Sequence, residues 1–298
     1  MTNVWPNFLV IGSGRSGTTT LHHFLLRHPD IFMCPVNEPN FFAAADGSLA
    51  LTGPGREWLQ RTSLCDAEAY CRSFAGVRGE HAIGEVSPRY MATAGAAARI
   101  AATLPEVKLI AILRQPAERA FSAFVSLRRD GIEPLADLRA AIADESRRIA
   151  AGWGLGCYVE AGRYAMHLEP YFRLFPRDQI RIYLYEDLQT DVEGLFADLF
   201  RFLGVAPNPS LGEVPQLNTT GEIKNPVLRM VWRHTHGLRA RVRRYVPASL
   251  RDRAFELLTR TAVKPAFSPE LRAEITELSR PDIERLQGLL DRDLSHWL

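Results

Sequence analysis

Residues 10–20 read VIGSGRSGTTT, set between the apolar run Phe8–Ile11 and a helix-period segment from about Gly17 to Arg27. A short apolar strand that ends in glycines and passes straight into a helix is the opening βα unit of a parallel sheet. That confines the chain to α/β architectures. Gly12, Gly14 and Gly17 let the backbone turn tightly and bring N–H groups up to an anion. The helix beginning near Gly17 adds its unpaired N–H groups and the positive end of its dipole. Against the nucleotide-binding pattern G-x-x-x-x-G-K-[ST], Gly12, Gly17 and Thr19 fit, whereas Thr18 takes the lysine position and the positive charge sits on Arg15 inside the loop. A kinase needs that lysine on the β- and γ-phosphates, so the loop predicts an anion with a different layout of charge.

The remaining segments repeat the alternation. His81–Val86, Val107–Leu113 and Ile180–Tyr185 read as buried strands. Ala94–Leu104, Ala117–Arg129, Leu135–Ala150, Arg163–Phe175 and Val192–Leu203 read as helices. Apolar strands separated by helices predict an α/β fold: a central parallel sheet flanked by helices on both faces. From Pro226 onward only helices are expected, running through Pro281–Leu290 to Trp297. With no linker and no repeat between Met1 and Leu298, residues 1–298 are expected to form a single P-loop-like domain, with 226–298 as its helical C-terminal part.

A second anion site follows the strand VKLIAIL. Arg114-Gln115-Pro116 opens a helix in which Ser122 lies eight residues beyond Arg114, about two turns along. A kinase strand at this place ends in an acid that holds magnesium, and Arg114 has the opposite sign. A salt bridge from Arg114 to Glu118 is the purely structural alternative. In a parallel sheet both strand ends open on the carboxyl edge, where ligands bind. Two anion sites on one edge point to a nucleotide carrying two separate phosphate groups.

Charge restricts the partners. The chain has 36 basic and 34 acidic residues, a net charge of +2, which excludes a polycation that coats nucleic acid. Only Lys108, Lys224 and Lys264 are lysines, so 33 of the basic residues are arginine, a bias that coding composition accounts for unless particular arginines grip oxyanions. Cys34, Cys65, Cys71 and Cys157 form no C-x-x-C pair and no metal-like spacing with histidine, and read as ordinary thiols in a reducing compartment. The N-terminal segment lacks a basic n-region, and no apolar stretch approaches the ~20 residues of a spanning helix. These features predict a cytoplasmic protein.

The segment IGSGRSGTTTL, followed some 20 residues later by EPNFF, and the segment ILRQPAERAFSAF together resemble the sulfotransferases that use 3′-phosphoadenosine 5′-phosphosulfate (PAPS). The similarity is greatest to their bacterial, heparan-sulfate-like and tyrosylprotein-like branches. It continues through GRYAMHLEPYFRLFPRDQIRIYLYEDL to LQGLLDRDLSHWL, and is loose over 139–156 and 228–267. The resemblance implies that Arg15 bridges the 5′-phosphate and the departing sulfuryl oxygen, with Gly14, Ser16, Gly17, Thr18 and Thr19 supplying backbone and hydroxyl donors. It implies that Arg114 and Ser122 hold the 3′-phosphate, that 3′-phosphoadenosine 5′-phosphate (PAP) is the product, and that no metal takes part. Thr219, Thr220 and Lys224 fall on a loop that closes over the adenosine end in the family.

An acceptor hydroxyl or amine must lose a proton as it attacks sulfur, which calls for a general base opposite the leaving group. The resemblance puts that base on Glu38 of EPNFF, where Pro39, Phe41 and Phe42 partly desolvate the carboxylate. Glu85 of GEVSPRY is the alternative, and His22 or His23 a further one, since histidine serves in other branches. Val86 stands where glycan-sulfating relatives carry a lysine, and Ala43 where some carry an acid; both departures bear on the acceptor and leave the donor site intact. Glu186-Asp187 at a strand end could mimic the magnesium-binding strand of a kinase, but reads rather as a salt bridge to a neighbouring arginine. The arginine-rich segment 229–253 is a candidate for peripheral membrane contact or for an anionic acceptor. The acceptor is open among glycan, lipid and small molecule. The competing readings are a P-loop nucleotide kinase or phosphotransferase, and a nucleotide- or polyanion-binding protein without catalysis.

Overall fold

A computed structural model of the chain describes residues 4–45, 47–207 and 266–298, with the backbone of 222–223 and 262–263. Strands β1 (Phe8–Gly12), β2 (Ile31–Met33), β3 (Ala82–Val86), β4 (Lys108–Leu113) and β5 (Ile180–Leu184) form one sheet in the order β2-β3-β1-β4-β5. Every pairing in it is parallel. The α-helices are α1 (Thr18–Leu25), α2 (Arg56–Thr62), α3 (Ala67–Arg72), α4 (Ala96–Thr103), α5 (Pro116–Arg129), α6 (Leu138–Ala143), α7 (Glu145–Ala150), α8 (Tyr164–Leu174), α9 (Tyr185–Thr190), α10 (Val192–Leu203) and α11 (Pro269–Leu290); short 3-10 turns and a small antiparallel pair, β6 (Glu222–Ile223) and β7 (Ala262–Val263), complete the described regular structure.

Side chains alternate across the sheet because successive strand residues point to opposite faces. Leu9, Ile11, Leu109, Ala111 and Leu113 enter a core built with α4, α8 and α11, whereas Phe8, Val10, Ile110 and Ile112 enter one built with α1 and α10. Both faces are therefore covered, and the central strands are apolar along their whole length. The lack of a side chain at Gly84 admits the Phe8 ring: a Cβ there would lie 2.3 Å from it.

The strand order sets the site. β1 lies between β3 and β4, so the chain that leaves β1 emerges beside the ends of both. Ser13 N–H donates to the Ile112 carbonyl at 2.8 Å and Ser87 N–H to that of Val10 at 3.0 Å. This is the switch point at which open α/β sheets take ligands.

Three expectations from sequence are corrected. The segment 135–150 is two helices, because the chain turns at Asp144, whose carboxylate is held by Arg147 and Arg148. Ala262–Val263 pairs as a strand with Glu222–Ile223, so the part beyond Pro226 is not wholly helical. The last helix begins at Pro269, capped by the Ser268 hydroxyl, and runs through Pro281. A proline there forfeits the bond to the carbonyl four residues back. Burial of Ile275, Ile283 and Leu286 keeps the helix in place. No helix among the described residues is long and apolar enough to cross a membrane.

Candidate active site

The loop after β1 wraps the start of α1. Gly17 takes φ 104° at the helix N-cap, a left-handed conformation suited to glycine, and no side chain caps the helix. The first N–H groups of α1, at Thr18 and Thr19, have no carbonyl to reach within their own helix. Thr18 is buried and Thr19 exposed, so the two hydroxyls face different surroundings. The Ser16 hydroxyl lies fully buried beneath the loop, beside the Tyr164 hydroxyl and without a partner in good hydrogen-bond geometry.

Arg15 sits at φ 73° in the loop and extends toward α5, its Nε donating to the Ser122 hydroxyl at 3.4 Å. Arg114 follows β4, whose parallel pairing with β1 brings it alongside, and its Nη1 reaches the Arg15 carbonyl at 3.5 Å. The two anion sites separated by about 100 residues in sequence are thus one cluster. Burial, and then the neighbouring Arg129, Arg114 and Arg119, lower Arg15 to about 10, a value at which it stays a cation at neutral pH. Such a gathering of cations calls for an anion with more than one negative group.

Arg114 is fixed from several sides. Its guanidinium stacks 4.8 Å over the Tyr185 ring and pairs with Glu118 at 3.4 Å, while its carbonyl accepts from the Tyr164 hydroxyl at 2.8 Å. The salt bridge expected from sequence is therefore present alongside the contact to the loop. Gln115 caps α5 through Glu118 N–H and donates to the Thr276 hydroxyl and the Trp297 carbonyl, tying the C-terminal segment to this edge. A polar cavity of about 370 Å³ opens beside Arg114, lined also by Glu118, Tyr185, Gln189, Arg272 and Trp297. Asp187 pairs with Arg292 at 2.5 Å, whereas Glu186 accepts from the Trp297 indole at 3.0 Å, so among the described residues Asp187 forms the expected ion pair and Glu186 does not.

Glu38 lies half-buried at φ 51° on the loop after β2. Burial raises its pKa, opposed by the charges of Arg89 and Arg15. Glu85 is wholly buried: Oε1 accepts from the Tyr90 hydroxyl at 2.6 Å and the Tyr70 hydroxyl at 3.1 Å, and Oε2 from the Ser87 hydroxyl at 2.7 Å. Burial pushes it up to about 7, against those three hydrogen bonds and with repulsion from Glu38. His22 and His23 lie on α1, where burial lowers both, and His23 meets Arg27 one turn on at 3.5 Å. Thr219, Thr220, Lys224 and the segment 229–253 lie outside the described residues.

Arg89 and Tyr185 belong to this neighbourhood and carry no warning in the sequence. Arg89 is one of 33 arginines, in SPRYM, and its Nη1 donates to the Gly154 carbonyl at 3.0 Å. Tyr185 opens α9, where a strand end was expected.

Guanidinium groups, a helix N-terminus and buried hydroxyls at the ends of β1 and β4 are a donor set for phosphate and sulfate oxygens, in a P-loop-like α/β fold. The chain belongs to the sulfotransferase family, whose model, described as "Sulfotransferase family", matches residues 6–209. The crystal structure of a sulfotransferase from Alicyclobacillus acidocaldarius is 31% identical and superposes with a TM-score of 0.76, covering 99% of each chain. Mouse heparan sulfate glucosamine 3-O-sulfotransferase 3B1 is 30% identical over 208 residues, 67% of this chain and 46% of that protein. The human bifunctional heparan sulfate N-deacetylase/N-sulfotransferase 2 is 28% identical over 218 residues, 68% of this chain and 22% of that protein. The chain thus matches less than half the length of these curated relatives.

Proposed function

We propose that this protein transfers a sulfuryl group from PAPS to a hydroxyl or amine, with Glu38 as the general base. The observation that carries the reading is the convergence of Arg15, Ser122 and Arg114 at neighbouring strand ends, with the Glu38 carboxyl within reach of the charges of Arg15 and Arg89. Arg15 and the N–H and hydroxyl groups of Gly14, Ser16, Gly17, Thr18 and Thr19 hold the 5′-phosphosulfate. Arg114 and Ser122 hold the 3′-phosphate, and the cavity beside Arg114 takes the nucleoside end. As the acceptor oxygen or nitrogen bonds to sulfur, Glu38 accepts its proton and the bond from sulfur to the 5′-phosphate oxygen breaks. Arg15 neutralises the charge left on that oxygen, where a fixed cation lowers the barrier most. The raised pKa of Glu38 makes it a better proton acceptor than a solvated carboxylate. PAP leaves with the bond's electron pair, and no metal is required by these residues.

The acceptor class we favour is a glycan or small-molecule hydroxyl or amine, since the heparan sulfate enzymes are the relatives matched over two thirds of the chain. We assign the whole of 1–298 to one catalytic unit in the cytoplasm. The 229–253 arginines remain a candidate contact for an anionic lipid surface, which co-sedimentation with anionic vesicles at low salt checks.

The primary test is a thermal shift with PAP. At a hundredfold excess over Kd, binding stabilises the fold by about 2.7 kcal/mol. Arg15→Ala and Arg114→Ala are expected to abolish the shift, and ATP with magnesium is expected not to reproduce it. An unshifted melting curve at millimolar PAP overturns the donor assignment. Glu38→Gln keeps PAP binding and loses transfer if the base assignment is right.

A further inference from the structure

Glu38 and Asn40 both occupy the left-handed region, at φ 51° and 53°. Asparagine visits that region readily, whereas a glutamate holds it only when its surroundings over-determine it. Asn40 is buried, its Nδ2 donates to the Glu38 carbonyl at 2.8 Å and to the Ser63 hydroxyl at 3.3 Å, and Leu64 N–H donates to the intervening Pro39 carbonyl at 2.8 Å. The Asn40 N–H donates to the Ser87 hydroxyl at 2.9 Å, and that hydroxyl donates to Glu85 Oε2 at 2.7 Å.

The order of donors matters. A serine hydroxyl has one proton and two lone pairs. With the proton committed to the Glu85 carboxylate, a lone pair is left for the Asn40 N–H. Glu85 is itself immobilised by the hydroxyls of Tyr70 and Tyr90. Those two rings are in turn clasped by the residues that follow Asn40. Phe41 stacks on Tyr70 at 4.4 Å with 15° between planes, and Phe42 meets Tyr90 edge-on at 5.7 Å. The segment EPNFF is therefore attached to the Glu85 cluster twice, once through Ser87 and once through its two phenylalanines.

Resting on the reading of Glu38 as the base, we infer that Glu85 is a positioning residue, which acts through Ser87 and Asn40 to hold the left-handed turn that aims the Glu38 carboxyl at the acceptor. It does not touch substrate. Its contribution falls on the catalytic step and leaves the donor site unchanged, because the Ser87–Asn40 contact lies on the Glu38 loop and not on the loop of Arg15.

The test uses the full chain and PAPS, with water as the acceptor, following PAP release. Ser87→Ala deletes the bridge with the smallest change of volume, and Ser87→Thr restores a hydroxyl. Glu85→Gln alters the acceptor of the serine proton. We expect Ser87→Ala and Glu85→Gln to lower kcat tenfold or more while Kd for PAP stays within twofold, and Ser87→Thr to recover most of the loss. Hydrogen exchange at the Asn40 amide is expected to quicken at least tenfold in Ser87→Ala and not in Ser87→Thr. Should Glu85→Gln fail to fold, the two Ser87 variants and the exchange measurement decide alone. If Glu38→Gln retains PAP release, the base assignment fails and the inference falls with it. If Glu38→Gln is inactive while Ser87→Ala keeps wild-type kcat, the base assignment stands and only the inference is overturned.

Discussion

Glu85 and Glu133 are both carboxylates withdrawn from water, and their surroundings drive them in opposite directions. Glu133, in the loop after α5, receives Arg148 Nη1 at 2.6 Å and Nη2 at 3.0 Å, together with the Tyr158 hydroxyl at 2.6 Å. Burial raises its pKa, but the hydrogen bonds from Arg148 and Tyr158 outweigh that and hold it below the usual range. Glu85 receives three hydroxyls and, among the described residues, no cation, and burial carries it up to about 7. Hydroxyls satisfy the lone pairs of a buried carboxylate without neutralising its charge, whereas a guanidinium does both. The region around Glu133 is thereby a static clasp, with Arg148 also stacked on Trp153 and donating to the Gly156 carbonyl. The cluster around Glu85 keeps a responsive charge next to the Glu38 loop.

The comparison breaks most readily at Arg148. Its side chain and that of Glu133 are 0% and 1% exposed. Arg148→Met leaves a buried charge unpaired and is expected to cost about 3–5 kcal/mol by denaturant unfolding at neutral pH. That deficit should shrink in acid, where Glu133 can protonate; a loss under about 1 kcal/mol at pH 7 removes the distinction drawn between the two sites.

The pH dependence of stability gives the next largest effect, with opposite signs at the two residues. The folded pKa of Glu85 lies above the ordinary 4.5, so the folded state binds its proton more tightly than the unfolded one. Its contribution is most favourable below pH 4.5 and declines as pH rises through about 7, by on the order of 3 kcal/mol in total. Glu85→Gln should therefore gain on the wild type as pH climbs from 5 to 8. Glu133 is depressed, so its contribution is present above the unfolded pKa and is lost as pH falls through the folded one. Parallel stability curves for wild type and Glu85→Gln across that range contradict the assignment.

The smallest effects separate the tyrosines. Tyr90→Phe and Tyr158→Phe each delete a hydroxyl 2.6 Å from a buried carboxylate. We expect Tyr90→Phe to cost roughly 2 kcal/mol and Tyr158→Phe about 1 kcal/mol, since Arg148 still satisfies Glu133 in the second variant. Calorimetric melting of the two variants orders them; the reverse order shows that the cation does not protect its carboxylate.

The arginine-bearing strand ends were legible in the sequence because their chemistry is local. A glycine loop between strand and helix, and an arginine-x-proline at the next strand end, each carry their meaning within a dozen residues. Even so, the pattern did not show that Arg15 meets Ser122 and that Arg114 reaches the Arg15 backbone; the pairing of β1 with β4 brings them together. The Glu38 side was legible only as a resemblance in EPNFF. That Glu85 is sealed by Tyr70 and Tyr90, and that the charge of Arg89 acts on Glu38, depends on packing between segments that follow different strands. The break at Asp144 was hidden for the same kind of reason, since a helical period continues through it while its carboxylate binds two arginines.

By itself the sequence determined the α/β class, the buried strands and the two cationic strand ends, because hydrophobic period and glycine punctuation act over neighbouring residues. The tertiary structure alone decided which of the 33 arginines meet, bringing Arg15 and Arg114 together beside Ser122, and which glutamate is sealed by hydroxyls. It did so through strand order and burial: a charge acquires its chemistry from the groups folded against it, and those groups are distant in the chain.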